Sequence, residues 1–350
     1  MILTLQYLRG VAALLVVIFH LETQTRRLGY LGYWPEWMFV GVDVFFILSG
    51  FLMWAITANR SQSPKDFLLR RFVRVAPLYW LITSVVVGVM LFAPNLMMTG
   101  RFVLSHVIGS YLFVAMPNSS GWLTPVLNVG WTLNLEILFY VIFACCLLIP
   151  KKFRIAAVSA TMSLIVASGQ LFPENNIWAL QYTSSILYEF VFGMCIAQLY
   201  QNGRLAFIGP LLASLMIASG FFLFIYNDEI SNARWRAVTA GLPAAVVFIG
   251  FLALEEKARL RPMRWLEALG NSSYSLYLTH LITLSVVFQI WRKLGGESFP
   301  AGVWIFSLLA LFSCLLVAEI VFRFLEKPIN GLFQELLTQI NWIKKQSPVG

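Results

Sequence analysis

Residues 39–51 read Phe-Val-Gly-Val-Asp-Val-Phe-Phe-Ile-Leu-Ser-Gly-Phe, an almost wholly apolar stretch around one carboxylate, Asp43. The apolar run ahead of it, which opens the sequence, carries Arg9 and His20. A bare carboxylate or guanidinium at mid-bilayer costs at least ~2.5–3.5 kcal/mol on insertion scales. Such groups persist where they face a shared interior, so the pattern describes polar side chains inside a helical membrane bundle.

The rest of the sequence has the same character. Of 350 residues, 59% are hydrophobic and only 12% charged, against about 25% charged in a soluble domain. Apolar stretches of roughly twenty residues recur throughout, the length a helix needs to cross a bilayer. Ten spans are expected, at about 4–22, 37–57, 72–92, 131–149, 153–172, 182–200, 207–226, 236–254, 272–291 and 301–324. This is an all-α polytopic membrane protein, with one ten-span domain over 1–326 and a short cytoplasmic tail over 327–350 along the membrane surface. The first run has no basic segment before it and contains Arg9 and His20, so it reads as a span rather than a cleaved signal. Within the longest connection, 93–130, the apolar piece Ser105–Met116 is too short to cross and reads as interfacial or re-entrant.

The net charge is +9. Nucleic acid is not the implied partner, because basic residues gather in cytoplasmic loops to set topology and meet anionic lipid. With the N-terminus inside, the cytoplasmic segments hold 17 of the 25 Lys and Arg and the outer loops hold 7. Both termini are therefore expected in the cytoplasm. The four cysteines lie in apolar runs without metal-ligand spacing, so they read as buried small side chains, and no metal site is expected.

Depth sorts the polar residues. Eleven residues separate Arg9 from His20, ~16 Å along a helix and nearly one face. Arg9 then lies toward the inner side and His20 in the outer part of the membrane. Asp43 falls ~9 Å and Glu136 ~8 Å below the outer surface, with Glu189 close to the same level. An imidazole near two carboxylates suits proton abstraction, the carboxylates orienting the ring or stabilising its cation. The plainer alternative is interhelical hydrogen bonding without chemistry.

A second cluster lies at the inner side. Residues 65–80 read Lys-Asp-Phe-Leu-Leu-Arg-Arg-Phe-Val-Arg-Val-Ala-Pro-Leu-Tyr-Trp. Arg70 and Arg74 are one helical turn apart, and Arg71 adds a third guanidinium; such forks suit phosphate. From charge alone, anchoring on lipid phosphates is the better reading of this loop. Residues 271–280, Asn-Ser-Ser-Tyr-Ser-Leu-Tyr-Leu-Thr-His, open a span with a polar face able to line a cavity or pack the helix.

Taken together, these stretches resemble the acyltransferase-3 family of membrane-bound acyltransferases. Arg9 with His20 resembles the opening Arg–His pair. Val40–Phe51 is similar to the second-span motif, and Phe67–Tyr79 to the Arg-rich motif ending in Pro-x-Tyr. Trp131-Thr-Leu-Asn-Leu-Glu136 resembles the Trp-Ser/Thr-Leu-x-x-Glu motif, while Ser273–His280 and Glu326-Lys-Pro328 fit the closing motifs. The compact form resembles the exopolysaccharide acetyltransferase branch.

The resemblance implies transfer of an acyl group, usually acetyl, from cytoplasmic acyl-CoA to a sugar hydroxyl at the bacterial inner membrane. It makes His20 the expected general base, with Asp43 and Glu136 as its carboxylate partners. It turns Arg9, Arg70, Arg71, Arg74 and Tyr79 into expected contacts for the acetyl-CoA donor. Trp131, Glu189, Tyr277 and His280 are expected on the acceptor side. The acceptor would be a polysaccharide or lipid-linked oligosaccharide, and membrane lipids, other polysaccharide-biosynthesis proteins or a second copy of the chain are the remaining expected partners. Two other classes would also use polar groups in spans. A proton-coupled transporter predicts discontinuous helices and internal repeats, and the sequence carries no convincing repeat. A non-catalytic subunit of an export complex leaves the common depth of His20, Asp43 and Glu136 unexplained.

Overall fold

The computed structural model describes residues 2–59, 62–96, 101–173, 175–226, 234–258, 262–296, 299 and 301–346. Its helices are, in order, α1 (Leu3–Arg27), α2 (Gly41–Thr57), α3 (Pro64–Phe92), α4 (Leu104–Tyr111), α5 (Trp131–Cys146), α6 (Lys151–Ser168), α7 (Ile177–Tyr182), α8 (Leu187–Gln201), α9 (Pro210–Tyr226), α10 (Leu242–Ala258), α11 (Arg264–Asn271), α12 (Ser273–Lys293), α13 (Gly302–Val321) and α14 (Lys327–Gln346). Among the described residues there is no strand. Each of the ten expected apolar stretches becomes a helix. Among the described residues eight helical runs are long and apolar enough to cross a membrane; α9 is apolar but shorter, at 17 residues, and α8 has 15. The chain is an all-helical, multi-pass membrane protein.

Helix starts follow local chemistry where the sequence supplies it. Pro64 begins α3 behind Ser63, whose Oγ accepts from the Asp66 amide at 3.1 Å, so one orphan donor is capped and the fixed proline φ suits the first turn. The start of α1 has no local cap. Its Leu3 and Thr4 amides instead donate to the Glu255 carboxylate, at 2.7 and 2.9 Å. This acidic group at the positive end of the helix is more than 250 residues away in sequence.

At the centre lies α2, the most buried of the candidate spans, with its most extensive packing against α8. The two backbones meet directly. A Cβ on Gly50 would lie 1.9 Å from the Phe190 carbonyl oxygen, and one on Gly193 only 2.0 Å from that of Ile47. Small residues permit this approach, the usual device for close helix pairs in lipid. Around α2 sit α1, α5, α8 and α10, while α1, α12 and α13 share a second apolar cluster built on Ala13, Val17, Leu284 and Phe306.

One expectation changes, and one element is added. The segment expected as a surface tail from 327 is helical and follows α13 without a break, through a π-helical turn at Phe322–Glu326 into α14. Pro328 has no amide hydrogen to close a regular helical turn, and a widened turn just before it is one way a helix passes a proline. Residues 347–350 lie outside the described residues, as do 97–100 of the long connection. The cysteines divide: Cys146 and Cys314 are buried, but Cys145 and Cys195 are exposed on the bundle surface.

Candidate active site

His20 lies seven residues before the end of α1, which runs to Arg27. Its Nδ1 is 2.9 Å from the Val16 carbonyl oxygen, and since a carbonyl only accepts, that nitrogen carries the hydrogen. Nε2 is then the ring's free lone pair. Against this ring stands His280 of α12, fully buried, with centroids 5.0 Å apart and its Nε2 3.4 Å from His20 Nδ1. Phe19 packs edge-on against His20 at 5.1 Å and tilts against Phe39 at 4.9 Å, and Phe39 stacks on Trp131 at 6.3 Å. Thus Trp131 reaches the His20 region through aromatic contacts.

One helical turn from His280, Tyr277 lines a cavity of about 170 Å³. Its phenol bonds to Thr132 Oγ1 at 2.8 Å and donates to the Val129 carbonyl at 3.1 Å. The cavity walls are apolar side chains of α2, among them Val42, Phe45, Phe46 and Leu52, and its far end is lined by Arg9, Arg71 and Arg74. Arg74 donates to Glu326 at 2.6 Å, and the second oxygen of that carboxylate accepts from Ser275 at 2.6 Å. The buried Nε of Arg71 has no hydrogen-bond partner among the described residues. Of the three arginines grouped by sequence, Arg70 is exposed and does not line the cavity. Tyr79 does not line it either. Its ring is fully buried against Phe113 and the Gly130 backbone.

Both expected carboxylate partners of His20 are engaged elsewhere. Glu136 lines the cavity beside the arginines, and its Oε1 accepts from Ser49 at 3.0 Å and from the Tyr140 hydroxyl. Asp43 is held bidentately by Arg236, at 2.9 and 2.5 Å, with both side chains buried. The reason is the phase of α2. Val42, Phe45, Phe46 and Ser49 face the cavity, whereas Asp43 shares the Ile47–Gly50 face that α8 covers. Glu189, also fully buried, lies beside this pair and against Gly241, with neither carboxyl oxygen hydrogen-bonded among the described residues. Residues expected at one level thus fall, through helix phase, into separate environments.

An acyltransferase domain model of the acyltransferase-3 type matches residues 2–321. The chain belongs to the acyltransferase-3 family. It is accordingly a membrane acyltransferase. Exopolysaccharide production protein ExoZ of Rhizobium meliloti is 36% identical over 292 residues, covering 83% of this chain and 88% of that protein. Peptidoglycan O-acetyltransferase OatA of Listeria monocytogenes is 26% identical, covering 98% of this chain but only 59% of the longer relative. Acyltransferase MdmB of Streptomyces mycarofaciens is 25% identical over 76% of this chain and 72% of its own. No solved structure matches this acyltransferase.

The residue that sequence reasoning missed is Arg236. Its position at the start of an apolar run reads as an outer-loop charge, yet it is 6% exposed and bound to Asp43. The available signal was the lone Asp43 itself, since an intramembrane carboxylate asks for a cation on another span. In the acyltransferase the π-helical turn at Ala237–Gly241 follows Arg236 directly, a local widening that often marks functional or strained sites.

Proposed function

We propose that this acyltransferase moves an acetyl group from acetyl-CoA to a hydroxyl of an exported or cell-surface polysaccharide, or of its lipid-linked precursor, at the bacterial inner membrane. The observation that carries this reading is the cavity, which joins three guanidinium groups at one end to Tyr277 at the other, one turn from the His20–His280 pair. Guanidinium forks are suited to the donor's phosphates and an apolar wall to its pantetheine arm. ExoZ and OatA, named for exopolysaccharide production and peptidoglycan O-acetylation, support the acetyl group and the glycan acceptor. Basic asymmetry supports the Arg end, with both termini, on the cytoplasmic side.

In this reading Arg71 and Arg74, with Arg9 behind them, take the phosphates. Glu136 stands within the donor channel, where its carboxylate can accept the amide hydrogens of pantetheine. At about 170 Å³ the cavity is smaller than ordinary ligand pockets of ~300–1,000 Å³, so donor entry requires wall side chains to part. His20 Nε2 removes the acceptor's hydroxyl proton as that oxygen attacks the thioester carbonyl. The carbon–sulfur bond then breaks, and the proton passes from His20 to the departing thiolate to leave the ester and free CoA. General-base help of this kind contributes roughly 10²–10⁴-fold.

His20→Gln tests the proposal, because glutamine hydrogen-bonds but does not act as this base. Acetylation of exported glycans and acetyl-CoA affinity are measured on the same folded protein. Loss of transfer with affinity retained is the expected result. Substantial turnover by the variant would refute His20 as base.

A further inference from the structure

We propose that His280 is the positioning partner of His20, a neutral imidazole doing what a carboxylate does in most histidine-based sites. The proposal rests on the reading of His20 as the base. Its geometry is independent of that reading. His280 Nδ1 lies 2.8 Å from the Tyr277 carbonyl oxygen and 3.2 Å from that of Leu276. Both only accept, so Nδ1 carries the ring hydrogen and Nε2 is left as a bare acceptor. The atom facing that acceptor is His20 Nδ1, at 3.4 Å. The hydrogen on His20 Nδ1 is thereby shared between the Val16 carbonyl and His280, and the basic lone pair is confined to His20 Nε2.

Neither carboxylate expected beside His20 takes this role. Asp43 is bound by Arg236, and Glu136 is bound by Ser49 and Tyr140. His280 itself is fully buried on α12, where its backbone contacts fix the ring from behind. A neutral acceptor is well suited to a membrane interior, where a carboxylate would carry its own desolvation cost. When His20 takes the acceptor's proton at Nε2, its Nδ1 hydrogen becomes a charged donor. The lone pair of His280 then strengthens its hold on that hydrogen, so the pair stabilises the transition state more than the ground state.

The test uses the full-length protein in native membranes, whose own glycans serve as acceptor, with acetyl-CoA as donor. His280→Phe keeps a ring and removes the acceptor; His280→Val removes the acceptor with a smaller, ringless side chain if the phenyl ring crowds α1. His280→Gln returns an acceptor oxygen. A hydrogen bond to a charged partner corresponds to roughly 10–150-fold in rate, so kcat should fall by that factor in the apolar variants while KM for acetyl-CoA stays within about twofold. The Gln variant should recover most of the loss. Undiminished kcat in the apolar variants would overturn the proposal, and so would a Gln variant as slow as they are. His20→Gln is run beside them: activity there refutes the base itself, a result separable from any outcome at position 280.

Discussion

Replacing Arg236 with Gln separates the two roles that sequence and structure give to Asp43. The guanidinium makes two hydrogen bonds to the Asp43 carboxylate, at 2.9 and 2.5 Å, and its Cζ lies 4.2 Å over the Phe39 ring. Removing one member of a buried, hydrogen-bonded ion pair costs about 3–5 kcal/mol, because the other charge is left behind. Loss of the cation–π contact adds about 0.5–2 kcal/mol. Glu189 raises the stakes, since the orphaned Asp43 would face a second buried carboxyl group. Arg236→Gln should therefore unfold at clearly lower temperature in detergent. In the double variant Asp43→Asn with Arg236→Gln, two amides can hydrogen-bond without net charge, and most of the lost stability should return. Glycan acetylation is measured on all three. If the pair is architectural, the double variant regains activity along with stability. A double variant that is stable yet inactive would show that Asp43 serves the chemistry, and the argument from its pairing would fail. An Arg236→Gln protein as stable as the parent would refute the energetic reasoning.

The arginine cluster should divide by burial. Arg70→Ala, at an exposed position outside the cavity, should leave acetyl-CoA affinity within about twofold, whereas Arg71→Lys should weaken it about tenfold or more by losing the bidentate fork; equilibrium binding of acetyl-CoA distinguishes the two, and equal effects would return this segment to lipid anchoring. Glu136→Gln should raise KM for acetyl-CoA severalfold with little change in kcat, since the residue lines the donor cavity; a selective loss of kcat would restore Glu136 to the reacting centre.

Much of the fold was legible because lipid imposes a simple requirement. Backbone groups must be satisfied within each span, so every apolar stretch had to become a helix. His20 and Arg9 were legible for the same reason, as polar groups that only a shared interior can hold. Periodicity was less decisive. Arg70, Arg71 and Arg74 fall within one arc of α3, and only the neighbouring helices decide which of them face inward. Depth reasoning gave Asp43 and Glu136 an expected level, yet whether either touches His20 depends on helix rotation. For α2, which carries Asp43, Gly50 and the distant Gly193 of α8 hold that rotation by close packing of the two backbones. The Glu255 cap on α1 and the Arg236 partner of Asp43 were illegible for a related reason: each joins residues nearly two hundred or more positions apart, and no local pattern records it.

The separation of the cavity from the histidine pair bears on something other than catalysis. The cavity lining includes Val42, Thr132, Tyr277 and Phe45, and Phe45 meets the Tyr277 ring edge-on at 5.7 Å. Neither His20 nor His280 is part of that lining. A protein that joins a donor from one compartment to an acceptor in another is, in principle, a leak in the barrier that stores the cell's ion gradients. The Tyr277 ring lines the chamber and lies 6.0 Å from that of His280, so an aromatic contact rather than open space links the two. In the proposed reaction, a donor chain that parts the rings would fill the opening it makes.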